Sequence, residues 1–403
     1  MRILYITQFF DSTRGGGEVL FYSIAKQLSE KGHKVFVIRH RLHGESRYER
    51  LPHNLKVYAV NPSLEYKGGL PSTINQNLSY ILNVVRLGLK IIKKENIDII
   101  HANNYAPVFA GVILSRLTGR PIIITIHDVA FTNGLVFWKQ WVEQFDAHPF
   151  LSLISYVGEL LTLKLPVDAI HTVSETSRND ILSVQTKTPV FVIANGLDTK
   201  VYEIDNSEIS YGDYVVYIGR CVFYKNVNTV IKAMKEVVGK NPNVKLIVVG
   251  DGPARHLWEK MAVECGVDDN VIFKGYVPYR EKINILKNAA ALVLPSVWEG
   301  FGLVILEAWA FKKPVIVSKV PPLTDIVEHG KDGFHVDPFN PKEWAAVLRM
   351  LLSDRALAKE MGEAGYNKLM KKFALQTTVK RLENLYIKII RRRNTWVGTS
   401  FRN

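Results

Sequence analysis

Two successive series of short β-rich runs, with stretches of helical length between them, constrain this chain more than any other feature. In the first half the runs lie at 3–7, 34–40, 56–60, 98–102, 121–127, 169–174 and 190–194. Helical periods fit between several of them, as at 19–30, closed by Gly32, and at 78–94. Strands alternating with helices imply a parallel sheet covered on both faces. The alternation restarts at 214–219, 245–249, 271–276, 291–294, 315–318 and 334–336. Between the two series, 203–213 (EIDNSEISYGD) is polar and unpatterned, and is expected to be a linker. Helical patterns follow at 342–352, 355–372 and 375–393. The expected fold class is α/β, with two Rossmann-like doubly wound lobes at 1–200 and 201–375.

A chain of 403 residues is long enough for two such domains, and 47% hydrophobic with 22% charged residues describes a soluble globular protein. Cys221 and Cys265 form neither a disulfide framework nor a zinc spacing, which fits a reducing, cytoplasmic setting. MRILYITQFF reads as a first strand and not a signal peptide. The greasiest later stretch, 147–166, is broken by Glu159 and Lys164, so no spanning helix is expected. The net charge of +14 is uneven: +6 over 1–200, +2 over 201–375 and +6 over 376–403. Such an excess suits an anionic partner (nucleic acid, a membrane surface, a phosphate-bearing substrate) or a solvated surface. No RRM, KH or helix-turn-helix pattern supports nucleic acid, so a non-catalytic basic nucleic-acid-binding protein is the less favoured alternative.

The most informative stretch is 290–318, AALVLPSVWEGFGLVILEAWAFKKPVIVS. A buried strand ends at Pro295-Ser296, a short loop carries Glu299-Gly300-Phe301-Gly302, and a helix is expected from Gly302 to about Phe311. A glycine-bounded loop opening a helix presents free amides at a positive dipole end, which suits an anion. Glu307 lies in the apolar VILEAWAF, where a carboxylate needs an ion pair or hydrogen bonds; a cis-diol such as a ribose would supply two donors, and a core ion pair is the alternative. Gly15-Gly16-Gly17-Glu18 opens the first helix after the first strand, a favoured place for a phosphate or sugar. Arg220 and Lys225, five residues apart just past the first strand of the second lobe, suit a diphosphate. No Walker motif or dinucleotide fingerprint occurs, and no D-x-D pair suggests a metal.

Glu299-x7-Glu307 enclosing Gly300-Phe301-Gly302 resembles the signature of retaining glycosyltransferases of GT-B fold, family 4, the group 1 glycosyltransferases. The resemblance implies a hexose transferred from a nucleoside diphosphate sugar to a hydroxyl acceptor (a glycan, a lipid-linked saccharide or a small molecule), with neither metal nor other cofactor. It places Glu299 near the donor sugar, Glu307 on the ribose, and Arg220, Lys225 and the 300–303 amides, Leu303 included, on the diphosphate. Gly275, Tyr276 and Val277 would border the base, and Gly16 and Gly17 would meet the donor from the first lobe. His127, ending a strand, would border the reaction centre; His101 also ends a strand, but Asn103 stands where the family often has a second histidine. Asn195-Gly196-Leu197-Asp198 resembles the family's turn near the cleft. The last helix, 376–403, would return to the first lobe. Another GT-B enzyme, a sugar phosphorylase or a nucleotide-sugar epimerase, is the nearest alternative.

Two further stretches are ambiguous. In 78–94, Leu82, Val85, Leu89 and Ile92 share one side with Arg86, Lys90, Lys93 and Lys94 nearby, and 131–165 gathers Phe137, Trp138, Trp141 and Phe145. Such stripes are core in most proteins, but they also suit peripheral contact with an anionic membrane, at its inner face for a cytoplasmic protein.

Overall fold

The computed structural model describes residues 1–12, 15–43, 51–64, 73–200 and 209–400, with side chains through Arg393. The chain forms two compact units. One comprises Met1–Lys139, Pro149–Asn195 and Leu375–Asn403; the other comprises Gln140–His148 and Gly196–Ala374.

The first unit contains β1 (Arg2–Ile6), β2 (Lys34–Leu42), β3 (Leu55–Leu64), β4 (Ile99–Asn103), β5 (Ile122–Ile126), β6 (Ala169–Thr172) and β7 (Val190–Val192). They form one parallel sheet in the order β3-β2-β1-β4-β5-β6-β7. Every residue of β5 is buried, as a strand covered by helices on both faces requires. The helix Leu375–Ser400 packs in this unit: Arg393 pairs with Asp168 at 2.9 Å, and the Tyr386 hydroxyl lies 2.7 Å from Nδ1 of His101. His101 Nε2 meets Thr125 Oγ1 at 2.6 Å, which in turn meets Nδ1 of His171 at 2.8 Å. Burial holds His101 well below its ordinary pKa, so this chain of neutral groups ties β4, β5 and β6 to the last helix. His101 is a core residue with both ring nitrogens engaged.

The helix Ile74–Glu95 corrects the expected stripe. Its core side is Tyr80, Val84, Gly88, Ile91 and Ile92, while Leu82 is 59% and Leu89 36% exposed. Of the four residues assigned to one side, only Ile92 is buried; Val85 is half-buried. Gly88 lies on the packed side, where a Cβ would stand 2.6 Å from Leu114 Cδ1 on the neighbouring helix Tyr105–Thr118. Among the clustered aromatics the core alternative describes two. Phe137 and Trp138 are buried, and Trp141 and Phe145 belong to 140–148, in the second unit.

That unit holds β8 (Tyr214–Ile218), β9 (Lys245–Val249), β10 (Val271–Gly275), β11 (Ala291–Leu294), β12 (Val315–Ser318) and β13 (Gly333–Val336). All are parallel, in the order β10-β9-β8-β11-β12-β13. Of the expected linker, 203–208 lie outside the described residues. The remainder is packed structure: the Tyr211 hydroxyl donates to Lys312 O at 3.0 Å and Asp213 pairs with Arg355 at 2.8 Å. Gly250 sits at φ 123, where a Cβ would meet the Gly219 carbonyl oxygen at 1.9 Å, so this position requires glycine. Among the described residues no helix is long and apolar enough to cross a membrane.

One buried acid in the first unit is poorly satisfied. Glu159, 2% exposed, accepts from the Ala130 amide at 2.9 Å and the Tyr105 hydroxyl at 3.4 Å through Oε1, while Oε2 has no partner. It lines a small cavity with Asn104, Tyr105, Ile126, Asp128, Thr162 and Leu163. Burial pushes its pKa up to about 8; the Ala130 amide opposes that shift and the Asp128 charge adds to it. Between pH 4.5, the ordinary value, and about 8, the folded chain therefore keeps a proton that the unfolded chain releases, and stability falls as pH rises through that window. Glu159→Gln removes the titration. Melting curves are expected to show the variant gaining stability over the parent as pH rises from about 5 to about 8.5, by a few kcal/mol at the upper end; parallel pH profiles would refute the assignment. Gly250→Ala is expected to abolish cooperative melting of the second unit, because a backbone carbonyl cannot yield as a side chain can.

Candidate functional site

In an open parallel sheet the loops at the strand carboxyl ends diverge where the strand order reverses, and the crevice left there is where ligands bind. The second unit reverses between β8 and β11. The two loops flanking that point carry Arg220 and Lys225 on one side and Glu299 to Leu303 on the other.

These loops are fastened together. Asn226, at φ 54, donates through Nδ2 to Pro295 O at 3.1 Å and to Pro338 O at 2.7 Å, and the Val297 amide donates to Tyr224 O at 2.8 Å. Across this junction Lys225 forms an ion pair with Glu299, whose Oε1 also accepts from Ser296 Oγ at 2.9 Å. The two side chains are 14% and 9% exposed, so the pair is largely desolvated. Residues expected to touch different parts of one ligand thus contact each other. Arg220 is braced separately: its guanidinium lies over the Trp141 ring at 5.4 Å and donates to the Tyr224 hydroxyl at 3.0 Å. Gln144 Oε1 accepts from the Phe223 amide at 3.3 Å, so 140–148 supports this loop at two points.

Gly302 adopts φ 89, and a Cβ there would lie 3.1 Å from both Ile305 Cδ1 and Leu323 Cδ2, so the turn into Leu303–Ala310 requires glycine. No side chain caps this helix, so its amino end is served by backbone alone. Phe301 is buried, edge-on to Phe373 at 5.9 Å, which anchors the loop from below. Glu307 is taken up by Lys282, whose Nζ lies 2.9 and 3.0 Å from its two oxygens. The core-pair alternative therefore describes this structure: Glu307 has a cationic partner, and desolvation alone does not demand a diol. Gly275 holds φ 65 at the end of β10, with the exposed Tyr276 and half-buried Val277 beyond it.

The first unit reverses between β1 and β4. The loop after β1 reaches Gly15 at φ 73 and opens the helix Gly16–Glu30, which has no side-chain cap. A Cβ on Gly17 would meet nothing within 4 Å, so the fold itself does not require glycine there. Following β4, Asn104 at φ 53 and ψ 152 is strained for a residue with a Cβ. His127 follows β5 and packs edge-on against Phe21 at 5.5 Å, with Nε2 lacking a partner. Burial, then the neighbouring His171, lowers its pKa to about 3, so its imidazole is neutral and not poised as a base near neutrality.

Sequence reasoning missed Lys282, Trp141, Gln144 and the Tyr105–Glu159 cavity. Lys282 lies on the helix Tyr279–Asn288, 25 residues before Glu307, and no spacing rule links the two. Asn195-Gly196 is where the division between units falls, and the Leu197 amide donates to Phe373 O at 2.8 Å.

Residues 203–368 match the family described as Glycosyl transferases group 1, and residues 14–201 match Glycosyltransferase Family 4. The N-acetyl-alpha-D-glucosaminyl L-malate synthase of Bacillus anthracis is 25% identical over 388 residues, covering 94% of this chain and 95% of that enzyme. Among solved structures, sucrose-phosphate synthase from Thermosynechococcus elongatus superposes with a TM-score of 0.79 at 21% identity, over 97% of this chain and 99% of that one. Anabaena Alr3699/HepE in complex with UDP-glucose gives 0.73 at 18% identity, over 96% and 100%. Both structural likenesses carry the fold, two parallel-sheet Rossmann-like domains of the GT-B kind. The two family matches run together from residue 14 to residue 368 with a single residue between them, and the chain belongs to the group 1, family 4 glycosyltransferases.

Proposed function

We propose that this glycosyltransferase moves a hexose from a nucleoside diphosphate sugar to a hydroxyl acceptor with retention of anomeric configuration. The observation that carries the reading is the convergence of Arg220, Lys225 and the uncapped amino end of Leu303–Ala310 on the strand-order reversal of the second sheet. Two cations and a helix dipole suit a departing diphosphate, whose charge grows as the glycosidic bond breaks. This assigns neutralisation to the protein's own groups and involves no metal. Arg220 reaches the phosphates as a fork, and Lys225 divides its charge between them and Glu299. Glu299 then accepts from the sugar hydroxyls, and Glu307, steadied by Lys282, keeps lone pairs for the ribose hydroxyls. Tyr276 and Val277 border the base.

In the reaction the bond between the anomeric carbon and the phosphate oxygen breaks, and the acceptor oxygen bonds to that carbon from the same face. The acceptor proton passes to the leaving phosphate oxygen. Neutral His127 is suited to contact the sugar and unsuited to take that proton. The UDP-glucose bound by Anabaena Alr3699/HepE supports the donor class. Membership of a transferase family favours transfer over phosphorolysis or epimerisation.

Melting shifts against UDP, GDP, ADP and TDP sugars identify the donor, since only a ligand of the folded state raises the midpoint; a donor set that shifts nothing would refute the reading. With that donor, Arg220→Gln is expected to lower kcat/KM by about a hundred-fold or more, as for loss of one oxyanion donor. The parent is expected to bind the 2′-deoxyribose analogue roughly ten- to a hundred-fold less tightly than the natural donor, and Glu307→Ala to lose that discrimination. A Glu307→Ala enzyme that still discriminates would remove the ribose role. Gly17→Ala is expected to leave melting unchanged or slightly raised while cutting turnover, because the space above Gly17 is open in the protein itself. NMR of the product anomer checks retention.

A further inference from the structure

Beside the edge of the first sheet lies a surface pocket of about 250 Å³ that the transfer reading does not use. Arg41 at the end of β2, Ala59 to Asn61 on β3, and Asn83, Arg86, Leu87 and Lys90 on the helix Ile74–Glu95 line it. Arg41, Arg86 and Lys90 have no acidic partner among the described residues, and no carboxylate lines the pocket. Asn83 is oriented by donating through Nδ2 to the Asn61 carbonyl at 3.0 Å. Three cations around one concavity, without an acidic partner among the described residues and two of them guanidinium forks, match a phosphate.

The same helix says where that phosphate comes from. Ile74, Leu78, Leu82 and Leu89 are 49%, 56%, 59% and 36% exposed. At 3.6 residues per turn they fall within about 80° of arc. Lys93, Arg86 and Lys90 occupy roughly the next 60°, and Asn83 and Leu87, on the pocket wall, come after them. The remaining side, Tyr80, Val84, Gly88 and Ile91, is core, and at the carboxyl end of the helix the burial reaches Ile92, in line with Ile74. Around the helix the order is thus exposed apolar, cationic, pocket, core. Ile113 and Leu117, exposed on the adjoining helix Tyr105–Thr118, extend the apolar surface. An apolar strip bordered by basic side chains is the arrangement of a helix lying in a bilayer interface, with the cations at headgroup level. A soluble phosphate compound explains the pocket but leaves the four exposed aliphatics beside it without a role.

We infer that this face of the first unit docks on an anionic bilayer, with a lipid phosphate seated between Arg41, Arg86 and Lys90 and the Ile74–Leu89 strip among the acyl chains. The inference does not rest on the transfer reaction and stands or falls separately from it.

The test is cosedimentation of the full chain with vesicles of phosphatidylcholine alone or with about 30 mol % phosphatidylglycerol, whose surface attracts cations. Binding is expected on the anionic vesicles and to fall with salt. Arg86→Gln/Lys90→Gln is expected to weaken it about tenfold or more, and Leu78→Ser/Leu82→Ser to do likewise, both with unchanged melting. Lys232→Gln/Lys235→Gln, which removes the same charge from the second unit, should change it little. Equal loss in that control would reduce the effect to net charge and overturn the pocket. Equal binding to phosphatidylcholine alone would overturn the headgroup assignment. Release by millimolar inorganic phosphate with no effect of the leucine changes would make this a soluble-phosphate site and overturn docking.

Discussion

The Gly219 carbonyl occupies the space that a Cβ at residue 250 would need, and the ligand-side loops of the second unit depend on that close approach. With it in place the Gly219 amide reaches Val249 O at 3.0 Å, the Cys221 amide reaches Asp251 O at 2.9 Å, and the Ala254 amide reaches Cys221 O at 2.8 Å. Gly250 in turn donates to Gly275 O at 2.8 Å, which brings in the loop after β10. Asn226 adds the loop after β11. Backbone hydrogen bonds and the Asn226 side chain together therefore set the positions of Arg220 and Lys225 relative to the helix that begins at Leu303. Side chains mounted on loops fixed this way lose less freedom on gripping a ligand, and that is the advantage of preorganisation.

Within this frame each of the two glutamates has its own lysine, and the two pairs differ in consequence. Lys225 and Glu299 are nearly desolvated, so their attraction is strong and removing either charge leaves the other stranded. Lys282 and Glu307 are somewhat more open, at 20% and 17% exposure, and Lys282 is further steadied over the Tyr279 ring at 5.1 Å. A carboxylate held by one ammonium at both oxygens is fixed in orientation yet retains lone pairs, and so suits a partner that arrives with two donors.

How much of this was legible follows from the range of each interaction. All thirteen strands among the described residues lie where the β-rich runs stand, because a strand is written in consecutive residues, and central ones such as β5 and β11 are buried along their whole length. The Glu299–Glu307 stretch was legible for the same reason: loop, glycine and helix are contiguous. What failed was non-local. Periodicity gave the helix Ile74–Glu95 an apolar side but not the packed one, which meets Leu114, 26 residues on from Gly88. His101 ends a strand as His127 does, but Tyr386, 285 residues on, takes it into the core. Trp141 read as a membrane or core aromatic until the second unit claimed it for Arg220. Glu159, taken only as a charge breaking an apolar run, is buried against an amide of a distant turn.

Exposed apolar residues divide the two units in a way that composition hides. In the second, Leu257 and Val263, six residues apart on one helix, point to different sides of it, and Ile272, Tyr276, Phe339, Met350 and Met370 lie on other elements. Isolated exposure of that kind is ordinary. In the first unit Phe150, Leu153, Val157 and Leu161 follow one face of the helix Phe150–Leu163, as Ile74, Leu78, Leu82 and Leu89 follow theirs. Two aligned strips on one unit are not the residue of an imperfect core, since the opposite face of Ile74–Glu95 is already fully packed. The basic excess is placed accordingly: +6 over 1–200 and +6 over 376–403 against +2 for 201–375, so the unit with patterned apolar exposure is also the one carrying the charge. Solvation alone gives no reason for the two to coincide, whereas an anionic surface attracts one and accommodates the other.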